Sequence, residues 1–182
     1  MYYDVIMAGF GGQGILMIGD LLALTAMREG RQVTWMPSYG VEMRGGTANC
    51  TVVVSDKRIG SPVTSRPYSA IVMNKPSLDK FAPRIRKEGV LVANASFMKE
   101  SDLDRDDLNS VFIPALDLAA ELGNEKMASM IALGAYIEMT KIIELENAVE
   151  ALRKTLPEKR QHLVAINEKA LQCGRDFAIS KK

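Results

Sequence analysis

The chain has 182 residues, 47% of them hydrophobic and 25% charged, with a net charge of +1; this suits one domain with a sizeable core and argues against a nucleic acid or an anionic membrane held by bulk charge. No apolar run reaches the roughly 20 residues that span a bilayer, and no basic stretch opens a signal peptide. Two cysteines and one histidine are too few for a disulfide framework, a four-ligand metal site or an iron–sulfur cluster, so a reduced, metal-free, cytoplasmic protein is expected.

Strand-like segments recur at 3–8, Gln32–Met36, Cys50–Ser55, Ala70–Asn74, Val90–Asn94 and Val111–Pro114. Several are short, continuous apolar runs such as Ala70-Ile71-Val72-Met73, the pattern of strands buried on both faces. Residues 14–29 carry an apolar helical period that stops at Gly30, and with the flanking strands they read as a βαβ unit. Residues 37–46 read as a loop with proline, serine and three glycines, and 56–62 as a turn. Beyond 115 the chain turns helical: 115–122, 126–143, 144–156 ended by Pro157, and 158–177. The predicted fold is α/β and Rossmann-like: a mainly parallel twisted sheet flanked by helices, with a helical C-terminal third, all in a single domain over 1–182.

The first motif lies between the opening strand and helix, at Gly9-Phe10-Gly11-Gly12-Gln13-Gly14. Gly11, Gly12 and Gly14 allow a sharp turn and leave backbone N–H groups at a helix start open to an anion, with Gln13 either a contact to the same ligand or simply a cap. A dinucleotide site would also want an acid at the end of the second strand. That strand ends Thr34-Trp35-Met36-Pro37-Ser38, which weighs against NAD.

The second motif, Ser38-Tyr39-Gly40-Val41-Glu42-Met43-Arg44-Gly45-Gly46-Thr47, is expected at the same sheet edge. Arg44 offers a planar fork to phosphate or carboxylate, Gly45 and Gly46 add exposed N–H groups, and Tyr39 adds a ring and a hydroxyl. Glu42 can orient Arg44. The third, Asn74-Lys75-Pro76, closes a strand at that edge, with Asn74 either a ligand contact or a helix cap. The helix around Met130–Ala135 is apolar nearly all round, which fits a core helix or a subunit interface equally. No nucleophile–base pair is visible, and His162 and the acids of 102–107 read as solvated surface. The chain reads as a binding site with no catalytic residues and no metal ligands of its own.

Gly9–Gly14, the run Tyr39–Cys50 and the run Asn74–Asp79 together resemble the gamma subunit of 2-oxoacid:ferredoxin oxidoreductases, especially the 2-oxoglutarate and branched-chain 2-oxoacid types. The resemblance extends from Gly9 to the helix at 130–135. The usual family form of the second loop has proline at the place of Val41, a departure that leaves Arg44 and the glycines intact. The resemblance implies a multisubunit enzyme that converts a 2-oxoacid and coenzyme A to acyl-CoA, carbon dioxide and reduced ferredoxin. It further implies thiamine diphosphate and iron–sulfur clusters in partner alpha, beta and ferredoxin-like subunits, ferredoxin as the acceptor, and coenzyme A binding on this chain, which would be inactive alone. The expected substrate is 2-oxoglutarate, and an indolepyruvate-type enzyme shares the first motif. A free-standing nucleotide-dependent oxidoreductase and a non-catalytic structural subunit stand as alternatives, and a homodimer of the isolated chain is left open. No nucleic-acid or membrane partner is expected.

Overall fold

A computed structural model describes residues 1–39 and 46–181, with the backbone alone at Tyr39. Arg44 and Gly45, with the rest of the loop centre, lie outside the described residues. Among the described residues six strands form one sheet, β1 (Tyr2–Phe10), β2 (Gln32–Tyr39), β3 (Thr47–Ser55), β4 (Ser69–Val72), β5 (Val90–Asn94) and β6 (Asn109–Ile113), in the order β2-β3-β1-β4-β5-β6. The helices are α1 (Ile15–Arg28), α2 (Lys75–Phe81), α3 (Ala115–Glu121), α4 (Ala128–Thr140), α5 (Leu145–Thr155) and α6 (Val164–Ser180).

The parallel block β1-β4-β5-β6 matches the continuous apolar runs that announced it. Along β1, Val5 and Met7 enter one core while Ile6 and Ala8 enter the other. β4 and β5 repeat the alternation, so both faces must be covered. Leu78, Phe81 and Ile85 cover one face; α1, α4, α5 and α6 cover the other. α4, which suited core or interface equally as a sequence, is a core helix: eleven of its thirteen residues are buried within this chain.

The opening unit departs from a simple βαβ. β3 inserts between β1 and β2 and runs antiparallel to both, so β2 and β3 form a hairpin whose connection is the second motif. β2 also extends through Pro37 to Tyr39 instead of stopping at Met36. Pro37 signalled a loop, but β2 is the sheet's edge strand, where alternate N–H positions face away from the sheet and proline is tolerated. β4 ends at Val72 rather than Asn74, because Asn74 caps α2, its Oδ1 accepting the Ser77 N–H at 2.9 Å. The helix expected over 126–143 begins as a 3₁₀ turn at Glu125–Met127 and ends at Thr140, beyond which Lys141 takes a left-handed φ of 51°. The segment 158–163 is likewise 3₁₀ before α6 begins.

Candidate functional site

In this topology β1 and β4 are parallel neighbours, yet their helices depart to opposite faces of the sheet. A crevice opens where such connections diverge, at the carboxyl ends of the strands, and ligands of open α/β sheets bind there. Gly9–Gly14 fills one bank of this crevice, and Met73-Asn74 the other.

The turn is held by Gln13. Its side chain folds back so that Oε1 accepts the Phe10 N–H at 2.7 Å, while its own N–H donates to the Phe10 carbonyl at 3.1 Å. The Asn74 Nδ2 approaches the same Oε1 at 3.5 Å, linking the two banks. Gly9 leaves the space this requires, since a Cβ there would lie 2.5 Å from Gln13 Oε1. Gln13 therefore shapes the turn with its carbonyl, and its Nε2 has no partner among the described residues.

Gly12 and Gly14 adopt φ of 100° and 77°, a region in which any other residue is strained. Gly14 is also crowded by Ser129 at the start of α4. Its carbonyl receives the Ile18 N–H at 3.1 Å, the first bond of α1. Among the described residues, the N–H groups of Gly12, Gly14, Ile15, Leu16 and Met17 find no acceptor. Four orphan donors are normal at a helix start. Here no side chain caps them and no acid lies in the first turn, so they form a fan of positive dipole facing the crevice.

The second motif reaches this fan. Gly46 accepts the Gly11 N–H through its carbonyl at 2.8 Å, and the backbone of Tyr39 pairs with Ala48, itself opposite Gly9. The two glycine segments thus meet at one sheet edge, which puts the stem of the Arg44 loop beside the start of α1. Lys75, by contrast, is engaged by Asp79 one turn along α2, and that hydrogen bond raises its pKa. His162 and Asp102 are exposed, as expected of solvated surface.

Two hollows flank the turn, and Gly12 lines both. One, of about 300 Å³, lies under Phe10, Gly11, Leu16, Met17 and Ala48. The other, of about 230 Å³, runs between Gln13, Met73, Phe97 and Lys126 down to Asn94. Asn94, the last residue of β5, was read in the sequence only as a strand terminus. A polar residue closing the buried run Val90–Ala93 was the signal available.

The two cysteines sit in different surroundings. Cys50 is fully buried beneath α1 against Gly19, and burial pushes its thiol up to about 12 despite a hydrogen bond from Trp35. Burial also raises the Cys173 thiol. Among the described residues no three His, Cys, Asp or Glu side chains gather as metal ligands.

The sequence matches the family described as pyruvate ferredoxin/flavodoxin oxidoreductase over residues 4–177. It is 39% identical to the ketoisovalerate oxidoreductase subunit VorA of Methanothermobacter marburgensis over 96% of this chain, and spans 36% of that protein's length. It is 27% identical to the 2-oxoglutarate synthase subunit KorC of Methanocaldococcus jannaschii, with 92% of each chain covered. Its fold superimposes on the gamma subunit of a keto/oxoacid ferredoxin oxidoreductase from Geobacter sulfurreducens with a TM-score of 0.82 at 26% identity, covering 98% of this chain and 99% of that one. The chain belongs to the pyruvate ferredoxin/flavodoxin oxidoreductase family and has the fold of its gamma subunits.

Proposed function

We propose that this chain is the coenzyme A-binding subunit of a cytoplasmic 2-oxoacid:ferredoxin oxidoreductase, which converts a 2-oxoacid and coenzyme A to acyl-CoA, carbon dioxide and reduced ferredoxin. The observation that carries the reading is the fan of unpaired N–H groups at the start of α1, uncapped and free of acids, at the crevice between β1 and β4. It suits the diphosphate of coenzyme A, with Gly46, Gln13 and Asn74 beside it, and Tyr39, Arg44 and Gly45 are the second motif's candidate contacts to the same ligand. Two cysteines are fewer than the four that ordinarily ligate an iron–sulfur cluster, which supports a division of labour in which partner subunits hold the clusters and the thiamine diphosphate. This chain's part is to bind and orient coenzyme A.

For the substrate, the greater identity to a ketoisovalerate oxidoreductase subunit than to a 2-oxoglutarate synthase subunit favours a branched-chain 2-oxoacid over the 2-oxoglutarate expected from the sequence. Turnover of the assembled enzyme with 2-oxoisovalerate, 2-oxoglutarate and pyruvate decides between them. For the cofactor, Arg44→Ala in the assembled enzyme should raise the KM for coenzyme A about tenfold or more, as expected when a charge-assisted hydrogen bond is lost, with kcat nearly unchanged. An unchanged KM would remove Arg44 from the site, and failure of the enzyme to bind coenzyme A in a direct titration would remove the proposal itself.

A further inference from the structure

The smaller hollow contains a group that nothing in the fold uses. Asn94 is 1% exposed, and its Oδ1 accepts two backbone N–H groups, from Ser96 at 3.2 Å and Ala115 at 3.1 Å. Both partners are donors, so the amide orientation is fixed and the oxygen must face them. Its Nδ2 is left buried with no acceptor among the described residues. Such a group costs about 1–3 kcal/mol when unsatisfied, and Asn94 lies in the lining of the cavity beneath Gln13 and Met73.

The surroundings indicate what acceptor would suit it. The walls are mainly apolar, from Met73, Leu116 and Ala128, and Phe97 contributes a ring that is 51% exposed. An aromatic side chain so open to water offers a face for stacking. Lys126 and the acid Glu125 both stand at the same hollow, and neither forms an ion pair among the described residues. The cavity, about 230 Å³, is smaller than the roughly 300–1,000 Å³ of a whole small-molecule site, so it fits one group of a longer ligand. Gly12 joins it to the N–H fan on α1.

We propose that this hollow is a purine subsite, in which the Asn94 amide donates to a ring nitrogen of adenine and Phe97 stacks on the base. The base then sits beside the helix start that holds the diphosphate, with Lys126 in reach of a ribose phosphate. This deepens the coenzyme A reading and rests on it.

The test compares two halves of coenzyme A, adenosine 3′,5′-bisphosphate and 4′-phosphopantetheine, titrated into the assembled enzyme. Asn94→Asp keeps an oxygen for Ser96 and Ala115 but replaces the donor with an acceptor. It should weaken the adenosine probe at least about tenfold and leave phosphopantetheine within about twofold. Phe97→Leu, at an exposed position that does not threaten folding, should weaken the adenosine probe severalfold and spare phosphopantetheine. Equal affinity of wild-type enzyme and both variants for the adenosine probe overturns the subsite, as does a loss confined to phosphopantetheine. If coenzyme A still binds in those cases, the subsite alone falls. If wild-type enzyme takes neither coenzyme A nor either half, the proposed function falls with it.

Discussion

The crossing of α4 and α6 allows a stability prediction with a worked magnitude. Gly134 and Gly174 face each other's helices so closely that backbone touches backbone. A Cβ on Gly134 would lie 2.1 Å from the Leu171 carbonyl oxygen, and one on Gly174 would lie 1.9 Å from that of Ile131. Real Cβ contacts stay beyond 3.0 Å, so alanine at either site must push the helices apart by about 1 Å in a close-packed core. Neither obstacle is a flexible side-chain tip that can swing away. Overpacking of this kind costs about 1–3 kcal/mol or more, against which alanine recovers up to about 1 kcal/mol of helix propensity. A net loss of about 2 kcal/mol is expected for Gly134→Ala or Gly174→Ala. For a domain of this size that lowers Tm by roughly 4–8 °C. Calorimetry or thermal circular dichroism reads the shift, and Gly60→Ala, where a Cβ meets nothing within 4 Å, should move Tm by no more than about 1 °C. The double variant should cost less than the sum, because one separation relieves both clashes. A Gly134→Ala protein as stable as Gly60→Ala would refute the close crossing.

Two further outcomes follow from the buried polar groups. Asp4 is 1% exposed and receives two bonds from the Arg86 guanidinium, at 3.0 and 3.1 Å, and one from the Tyr68 N–H at 2.7 Å. Arg86→Ala strands that carboxylate and should cost about 1–3 kcal/mol in urea unfolding at unchanged m, less than a fully buried pair because the Arg86 side chain is 44% exposed; a loss below about 0.5 kcal/mol would contradict the role given to the pair. For Cys50, the folded thiol titrates near 12 against 9.0 for an ordinary one. The unfolded chain releases this proton first, so the contribution is complete below about pH 9 and declines between about 9 and about 12, by as much as about 1.4 kcal/mol per pH unit. Cys50→Ala should flatten the alkaline fall of Tm relative to wild type, and parallel curves would show that the thiol does not titrate as its burial requires. At pH 8 a thiol reagent should modify Cys173 in the native protein and reach Cys50 only on unfolding.

Much of the fold was legible because the strands of the parallel block are buried on both faces and therefore read as unbroken apolar runs. The hairpin was less so. Pro37 signalled a loop, and only the place of β2 at the sheet edge, a property of the whole sheet, made it compatible with a strand. The insertion of β3 between β1 and β2 carries no local signal either, since a strand's own sequence does not specify its neighbours. At the site, Gly11, Gly12, Gly14 and Asn74 were recognisable from turn and cap chemistry. The folded-back pose of Gln13 depends on the empty space at Gly9, and the orphan amide of Asn94 on the loop from β6 to α3 that reaches its oxygen. Both are tertiary facts without a sequence period.

The two ends of the parallel block differ in how completely their polar groups are used, and this difference supports the site proposed at the carboxyl ends. At the amino-terminal edge, Asp4 is saturated by Arg86 and Tyr68, and Ser69 donates to the Asp4 carbonyl while pairing with the buried Tyr136 hydroxyl at 2.9 Å. That edge is closed by its own side chains and serves stability. The carboxyl edge instead carries the N–H fan of α1 and the unpartnered amide of Asn94, groups that lower stability unless something outside the described residues satisfies them. Saturating the second edge as the first is saturated should stabilise the chain and abolish binding. Gly12→Asp places a carboxylate before the fan, where an acid at a helix start contributes about 0.3–1 kcal/mol, although the left-handed φ at Gly12 opposes it by about 1–2 kcal/mol. Stability should therefore change by less than about 1.5 kcal/mol while coenzyme A affinity falls by more than about tenfold, since the anion now meets a fixed negative charge. Retained affinity would mean that the fan is capped within the assembled enzyme and that the ligand binds elsewhere.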